Sequence, residues 1–164
     1  MSFRNRSECV WRCNMDVGGT HVLVVDDMAD VADSTVELLA LWGYDAIACY
    51  DGVSALESAQ ISRPDAVLLD LAMPGMDGFQ FASLFRELPG CRSAPIIAMS
   101  GYSTPVCREN ARAVGIKQFL VKPVHAEQLK EFLAWEIEPL AKSYRSPAQT
   151  KWPWLMLARE PALV

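Results

Sequence analysis

An α/β fold, with a parallel sheet covered by helices on both faces, is predicted by three features of the sequence. Wholly apolar runs too short for helices recur at Val22–Val25, Ala46–Cys49, Val67–Leu69, Ile96–Met99 and Phe119–Val121, as expected of strands buried on both sides. Each is followed by a stretch in which apolar residues return at helical spacing, and Gly, Pro or Asp marks most of the joints. Five such units, each too short to be a domain, predict one doubly wound sheet with right-handed crossovers.

The first strand, Val22–Val25, stops at Asp26-Asp27. Val31, Thr35, Leu38, Leu39 and Trp42 then fall on one helical face, with Asp30 as N-cap and Gly43 as the C-terminal stop. The second strand, Ala46–Cys49, ends in nothing chemically pointed, as suits an edge. It leads through Asp51-Gly52 into a weaker helix carrying Val53, Leu56 and Ile61, broken at Arg63-Pro64. The third strand ends at Asp70, before Met73-Pro74-Gly75. Phe81, Leu84, Phe85 and Leu88 place a helix from about Asp77 to Pro89-Gly90. The fourth strand stops at Ser100. Its helix has Thr104 as N-cap, Pro105 at the first position, apolar Val106, Ala113 and Val114, and Gly115 as the stop. The fifth strand stops at Lys122-Pro123, and its helix carries Leu129, Phe132, Leu133, Ile137 and Leu140.

Bulk composition narrows the function. With 164 residues, 51% hydrophobic and 21% charged, the chain suits one globular domain with a sizeable core. A net charge of −5 and the lack of a basic stripe argue against nucleic acid as the main ligand, and the acids near the crevice favour a cation. Five scattered Cys without a CxxC pair read as reduced thiols of a cytoplasmic protein, with metal binding by Cys9 and Cys13 a minor alternative. No apolar run approaches a membrane span or a secretory signal. Residues 1–20 read as a flexible leader, within which Met15 is a candidate start. Residues 141–164 form a tail containing Pro147, Pro153 and Pro161, too short for a helix-turn-helix output domain. Its Trp152-Pro153-Trp154-Leu155-Met156-Leu157 reads as packing on its own domain, with a docking or homodimer contact as the sharper alternative. His21 and His125 are isolated and read as surface or strand-end residues, not as a zinc site or a phosphohistidine relay.

The chemistry is concentrated where strands stop. In open parallel sheets the carboxyl ends of the strands line the functional crevice, so Asp26, Asp27, Asp70, Ser100 and Lys122 are expected on one rim. Three carboxylates gathered there repel one another unless a counter-ion is present, and Mg²⁺, a hard ion satisfied by carboxylate and carbonyl oxygens and water, answers that need. A carboxylate is also a nucleophile toward phosphorus when a metal and a lysine offset the charge on the transferring group.

This constellation resembles the receiver domain of bacterial two-component response regulators over roughly residues 21–140, with all four motifs in the family's order. The resemblance implies a flavodoxin-like sheet in the order 2-1-3-4-5. It implies Mg²⁺ held directly by Asp27, Asp70 and the main-chain carbonyl of Ala72, and through water by Asp26. Asp70 would be the phosphoacceptor, Lys122 would contact the phosphoryl group before an often cis peptide to Pro123, and Ser100 and Phe119 would move together on activation. Ala72 and Tyr102 match positions that tune phosphoryl lifetime. The wording around Ser100-Gly101-Tyr102 and Lys122-Pro123-Val124 is similar to receivers fused to hybrid histidine kinases. The partners implied are a histidine kinase or histidine phosphotransfer protein and a downstream protein target met through the fourth helix, fifth strand and fifth helix. The expectation is a stand-alone phosphoacceptor switch that catalyses its own phosphorylation and dephosphorylation.

Rival chemistries fit less well. A phosphohydrolase using an aspartyl phosphate wants an acid two residues beyond the nucleophile, where Ala72 stands. A flavodoxin-like nucleotide binder wants a Gly/Ser/Thr loop after the first strand, where Asp26-Asp27 would repel phosphate. The remaining competitor is a receiver-shaped interaction module that needs no phosphate.

Overall fold

A computed structural model describes residues 19–101 and 104–144 of the chain. Five strands alternate with five helices: β1 (His21–Val25), α1 (Ala29–Leu41), β2 (Asp45–Cys49), α2 (Gly52–Ser62), β3 (Ala66–Asp70), α3 (Gly78–Glu87), β4 (Ile96–Ser100), α4 (Pro105–Ala113), β5 (Gln118–Val121) and α5 (Ala126–Tyr144). The strands are parallel in the order β2-β1-β3-β4-β5, so β2 is indeed an edge and β1, β3 and β4 are central. Every residue of β3 and β4 is buried, which is why their sequences run apolar without alternation.

Two apolar layers flank the sheet. Val22, Val24, Leu68, Ile97 and Leu120 face α1 and α5 through Ala32, Leu39, Leu129, Leu133 and Ile137. Leu23, Val25, Val67, Leu69 and Ala98 face α2, α3 and α4 through Ala55, Ala59, Phe81, Phe85 and Ala111. Phe81 and Phe85 stack with ring centroids 5.6 Å apart. No helix among the described residues is long and apolar enough to cross a membrane.

Several sequence expectations need correction. The N-cap of α1 is Met28, not Asp30, which sits in the first turn. Asp26 takes the Met28 N–H at 3.0 Å, so the chain is already turned when Asp30 arrives, and the latter's charge favours the helix N-terminus without capping it. In α2, Val53 and Ile61 are 54% and 82% exposed. The buried face is made instead of Gly52, Ala55, Ser58 and Ala59, small residues that let the helix lie close to its neighbours; a Cβ at Gly52 would stand 2.7 Å from Met76 Sδ. In α4, Ala111 is the buried anchor while Val106 is 65% exposed. Cys91 and Cys107 are free thiols, but Cys49, at the end of edge strand β2, is disulfide-bonded, against the expectation of reduced thiols. Met15, Cys9, Cys13, Tyr102 and the Trp152–Leu157 stretch lie outside the described residues. The remaining boundaries agree, with Asp51, Asp77 and Thr104 each capping a helix through its side chain.

Candidate functional site

The sheet brings Asp26, Asp27, Asp70, Ser100 and Lys122 to one end because each follows or closes a parallel strand. Asp26 is fully buried, and its N–H donates to Cys49 O at 3.1 Å, extending the β1–β2 ladder past the last strand residue. Its Oδ1 accepts the Met28 N–H. Asp70 closes β3 and is 5% exposed; its Oδ1 accepts the Ala72 N–H at 3.0 Å. Gly78 presses against this corner, where a Cβ would meet Asp70 O at 2.6 Å and Leu71 Cα at 2.7 Å. Only glycine lets α3 begin so close to the end of β3.

Lys122 joins the two buried acids. Its Nζ lies 2.8 Å from Asp26 Oδ2 and 2.7 Å from Asp70 Oδ2. Burial pulls the pKa of this ammonium down, but the hydrogen bonds to Asp26 and Asp70 and their negative charges outweigh that, leaving it above the ordinary 10.5. The Lys122 N–H donates to Ser100 O at 2.9 Å, and the Lys122–Pro123 peptide is cis. Ser100 is 4% exposed and opposes Val121 in register. Phe119, two residues before Val121, therefore shares the Ser100 face of the sheet, and the Arg108 guanidinium from α4 stands 5.4 Å from its ring centroid. Ala72 is exposed in the loop after Asp70.

Asp27 completes the acidic set from an exposed position. One carboxylate oxygen from each of Asp26, Asp27 and Asp70 lies within 4.8 Å of the others. The three groups are close enough together that they would present their oxygens to one hard cation. The donors are all oxygen, and Lys122 offsets only part of three negative charges, so the residues present fit a divalent ion of this kind. Sequence reasoning named every one of these side chains but missed the Lys122–Asp26 pair and the Met28 N–H. The first joins residues 96 positions apart, and the second is a main-chain group with no sequence signal.

A five-stranded parallel sheet in this order, with three carboxylates and a lysine converging at the strand ends, defines a CheY-like receiver fold. Residues 22–134 match the family model for the response regulator receiver domain, and the chain belongs to that family, part of two-component signalling. It is 32% identical over 111 residues to Protein PilG of Pseudomonas aeruginosa, an alignment covering 68% of this chain and 82% of PilG. It is 38% identical over 111 residues to the transcriptional regulatory protein PrrA of Mycobacterium tuberculosis, covering 66% of this chain but 47% of PrrA. Among solved structures, chemotaxis protein CheY4 of Vibrio cholerae matches with a TM-score of 0.70 at 31% identity, over 72% of this chain and 98% of CheY4. The receiver domain of sensor histidine kinase PA1611 from Pseudomonas aeruginosa, solved with a magnesium ion in its active site cleft, matches with a TM-score of 0.66 at 31% identity, over 73% and 98% of the two chains.

Proposed function

We propose that residues 21–140 form a phosphoacceptor switch of the cytoplasm, in which Asp70 takes a phosphoryl group from the phosphohistidine of a histidine kinase or phosphotransfer protein. The observation that carries this reading is the arrangement of Asp70: one carboxylate oxygen is anchored by the Ala72 N–H and the other faces Lys122, at the centre of the acidic rim. A carboxylate oxygen of Asp70 attacks phosphorus, a P–O bond forms and the P–N bond breaks. Its electron pair returns to the imidazole nitrogen, which is protonated by solvent. Lys122 supplies a fixed positive charge beside the incoming oxygens, and Ser100 a hydroxyl on the adjacent strand end. Asp26, Asp27, Asp70 and the Ala72 carbonyl are the groups that would hold Mg²⁺, which when bound offsets negative charge on the transferring group. Hydrolysis of the acyl phosphate by water returns Asp70 to its carboxylate.

The added charge on Asp70 favours a state in which Ser100 and Phe119 rearrange, and the change reaches a protein target through α4, β5 and α5. The test is incubation with a small phosphodonor and Mg²⁺ followed by intact mass. One phosphoryl adduct, lost in EDTA and in Asp70→Asn, is expected. No adduct in the wild type with several donors would favour the phosphate-free interaction module instead.

A further inference from the structure

A cavity of about 720 Å³ lies at the end of the sheet opposite the acidic rim, where β4 and β5 begin. Arg86, Arg92, Lys117, Gln118, Trp135 and Glu136 stand in its wall. Its size falls in the range of small-molecule sites. Arg86 reaches in from α3, donating through Nη1 to the main-chain oxygens of Cys91, Arg92 and Ala94, and through Nη2 to Gly115 O at 2.9 Å. These bonds tie the α3–β4 loop to the α4–β5 turn, but none of the acceptors is a carboxylate. Burial pulls the Arg86 pKa below its ordinary value, and the opposing pull of the Cys91 thiol is the smaller effect. Among the described residues Arg86, Arg92 and Lys117 form no ion pair. Glu136, the one acid in the wall, accepts the Gln118 Nε2–H at 2.7 Å. Three cations thus face one carboxylate in a chain whose net charge is −5. At the rim Trp135 is 77% exposed, presenting an indole to solvent.

We infer that this cavity binds a nucleoside phosphate, its phosphate held by Arg92, Lys117 and the edge of Arg86 and its base stacked on Trp135. Uncompensated cations in a concave wall focus a field that attracts anions, and charge-assisted bonds from guanidinium and ammonium suit phosphate oxygens. An exposed indole supplies the flat apolar surface that a purine ring covers. The site lies away from the acidic rim and is independent of the phosphoacceptor reading. The sequence gives no hint of it as a basic stripe, because α3, the α3–β4 loop and β5 bring the cations together only on folding.

The test is a titration of the ¹⁵N-labelled full chain with GMP and, separately, with inorganic pyrophosphate. Shifts of the Ala94, Gly115, Lys117 and Gln118 amides are expected, unchanged in Asp70→Asn. Arg92→Glu/Lys117→Glu should weaken GMP at least about tenfold while keeping the wild-type far-UV spectrum. Arg86 is left in place because its loss would free both loops. Trp135→Ala should weaken GMP but not pyrophosphate. The inference is overturned by absent shifts at millimolar GMP, by shifts confined to Asp26 and Asp70, by unchanged affinity in the double variant, or by equal loss of GMP and pyrophosphate in Trp135→Ala.

Discussion

Replacing Lys122 with Met removes the one cation between two buried carboxylates while keeping most of the side-chain volume. In the wild type the Asp26 side chain is 0% exposed, that of Asp70 7% and that of Lys122 27%, with both N–O distances under 3 Å. Breaking a buried pair leaves an uncompensated charge and costs about 3–5 kcal/mol; water reaching the quarter-exposed lysine brings this to about 2–4 kcal/mol. For a domain of this size that lowers the Tm by about 10 °C. Urea and thermal unfolding followed by far-UV dichroism, in EDTA at neutral pH, read the effect directly. Adding Asp26→Asn removes one of the stranded charges while keeping an oxygen for the Met28 N–H, so the double variant should recover part of the loss. The pH dependence has a definite sign. Because the folded pKa of Lys122 is raised, its contribution is complete below the ordinary 10.5 and is lost as the pH climbs through the folded value above it. An alkaline decline is therefore expected of the wild type and should be shallower in Lys122→Met. A single variant within about 0.5 kcal/mol of wild type, or a double variant no more stable than the single, would refute this reading of the pair.

Three other perturbations follow from the same geometry. Gly78→Ala puts a Cβ 2.6 Å from the Asp70 carbonyl oxygen, and should destabilise by more than about 2 kcal/mol in urea titrations while slowing phosphoryl uptake, since the backbone carrying Asp70 must move. Asp77→Ala removes a capping box in which Asp77 Oδ1 accepts the Gln80 N–H at 2.8 Å; about 1 kcal/mol of stability and a few degrees of Tm should go with it. Cys91 is fully buried, and burial outweighs Arg63 and Arg86 to raise its thiol pKa above the ordinary 9.0. Iodoacetamide labelling followed by peptide mass should therefore modify Cys107 well before Cys91, and equal rates would contradict the buried placement.

The strand tips were legible because a strand buried on both faces has to be apolar until it leaves the sheet, so Asp70 and Ser100 stand out as the residues where burial stops being purely apolar. Caps at Asp77 and Thr104 were legible because their signal is local. The face of α2 was not, since Ala55, Ser58 and Ala59 bury through small size and Val53 and Ile61 offer the stronger but misleading apolar signal. Strand order was equally hidden from periodicity, because which strands pair is a non-local choice; it came only from the resemblance. At the site, the residue types showed themselves but their pairing did not: nothing near Lys122 in the chain points to Asp26. The cations of the cavity at the far end of the sheet were invisible for the same reason.

The most direct test is to find the phosphoryl group. The chain, loaded from a small phosphodonor with Mg²⁺, is treated with borohydride, which reduces an acyl phosphate to an alcohol, and then fragmented by tandem mass spectrometry. Reduction at position 70 alone is the predicted result; modification at Asp26 or Asp27, or a phosphate stable to borohydride on another side chain, would contradict it.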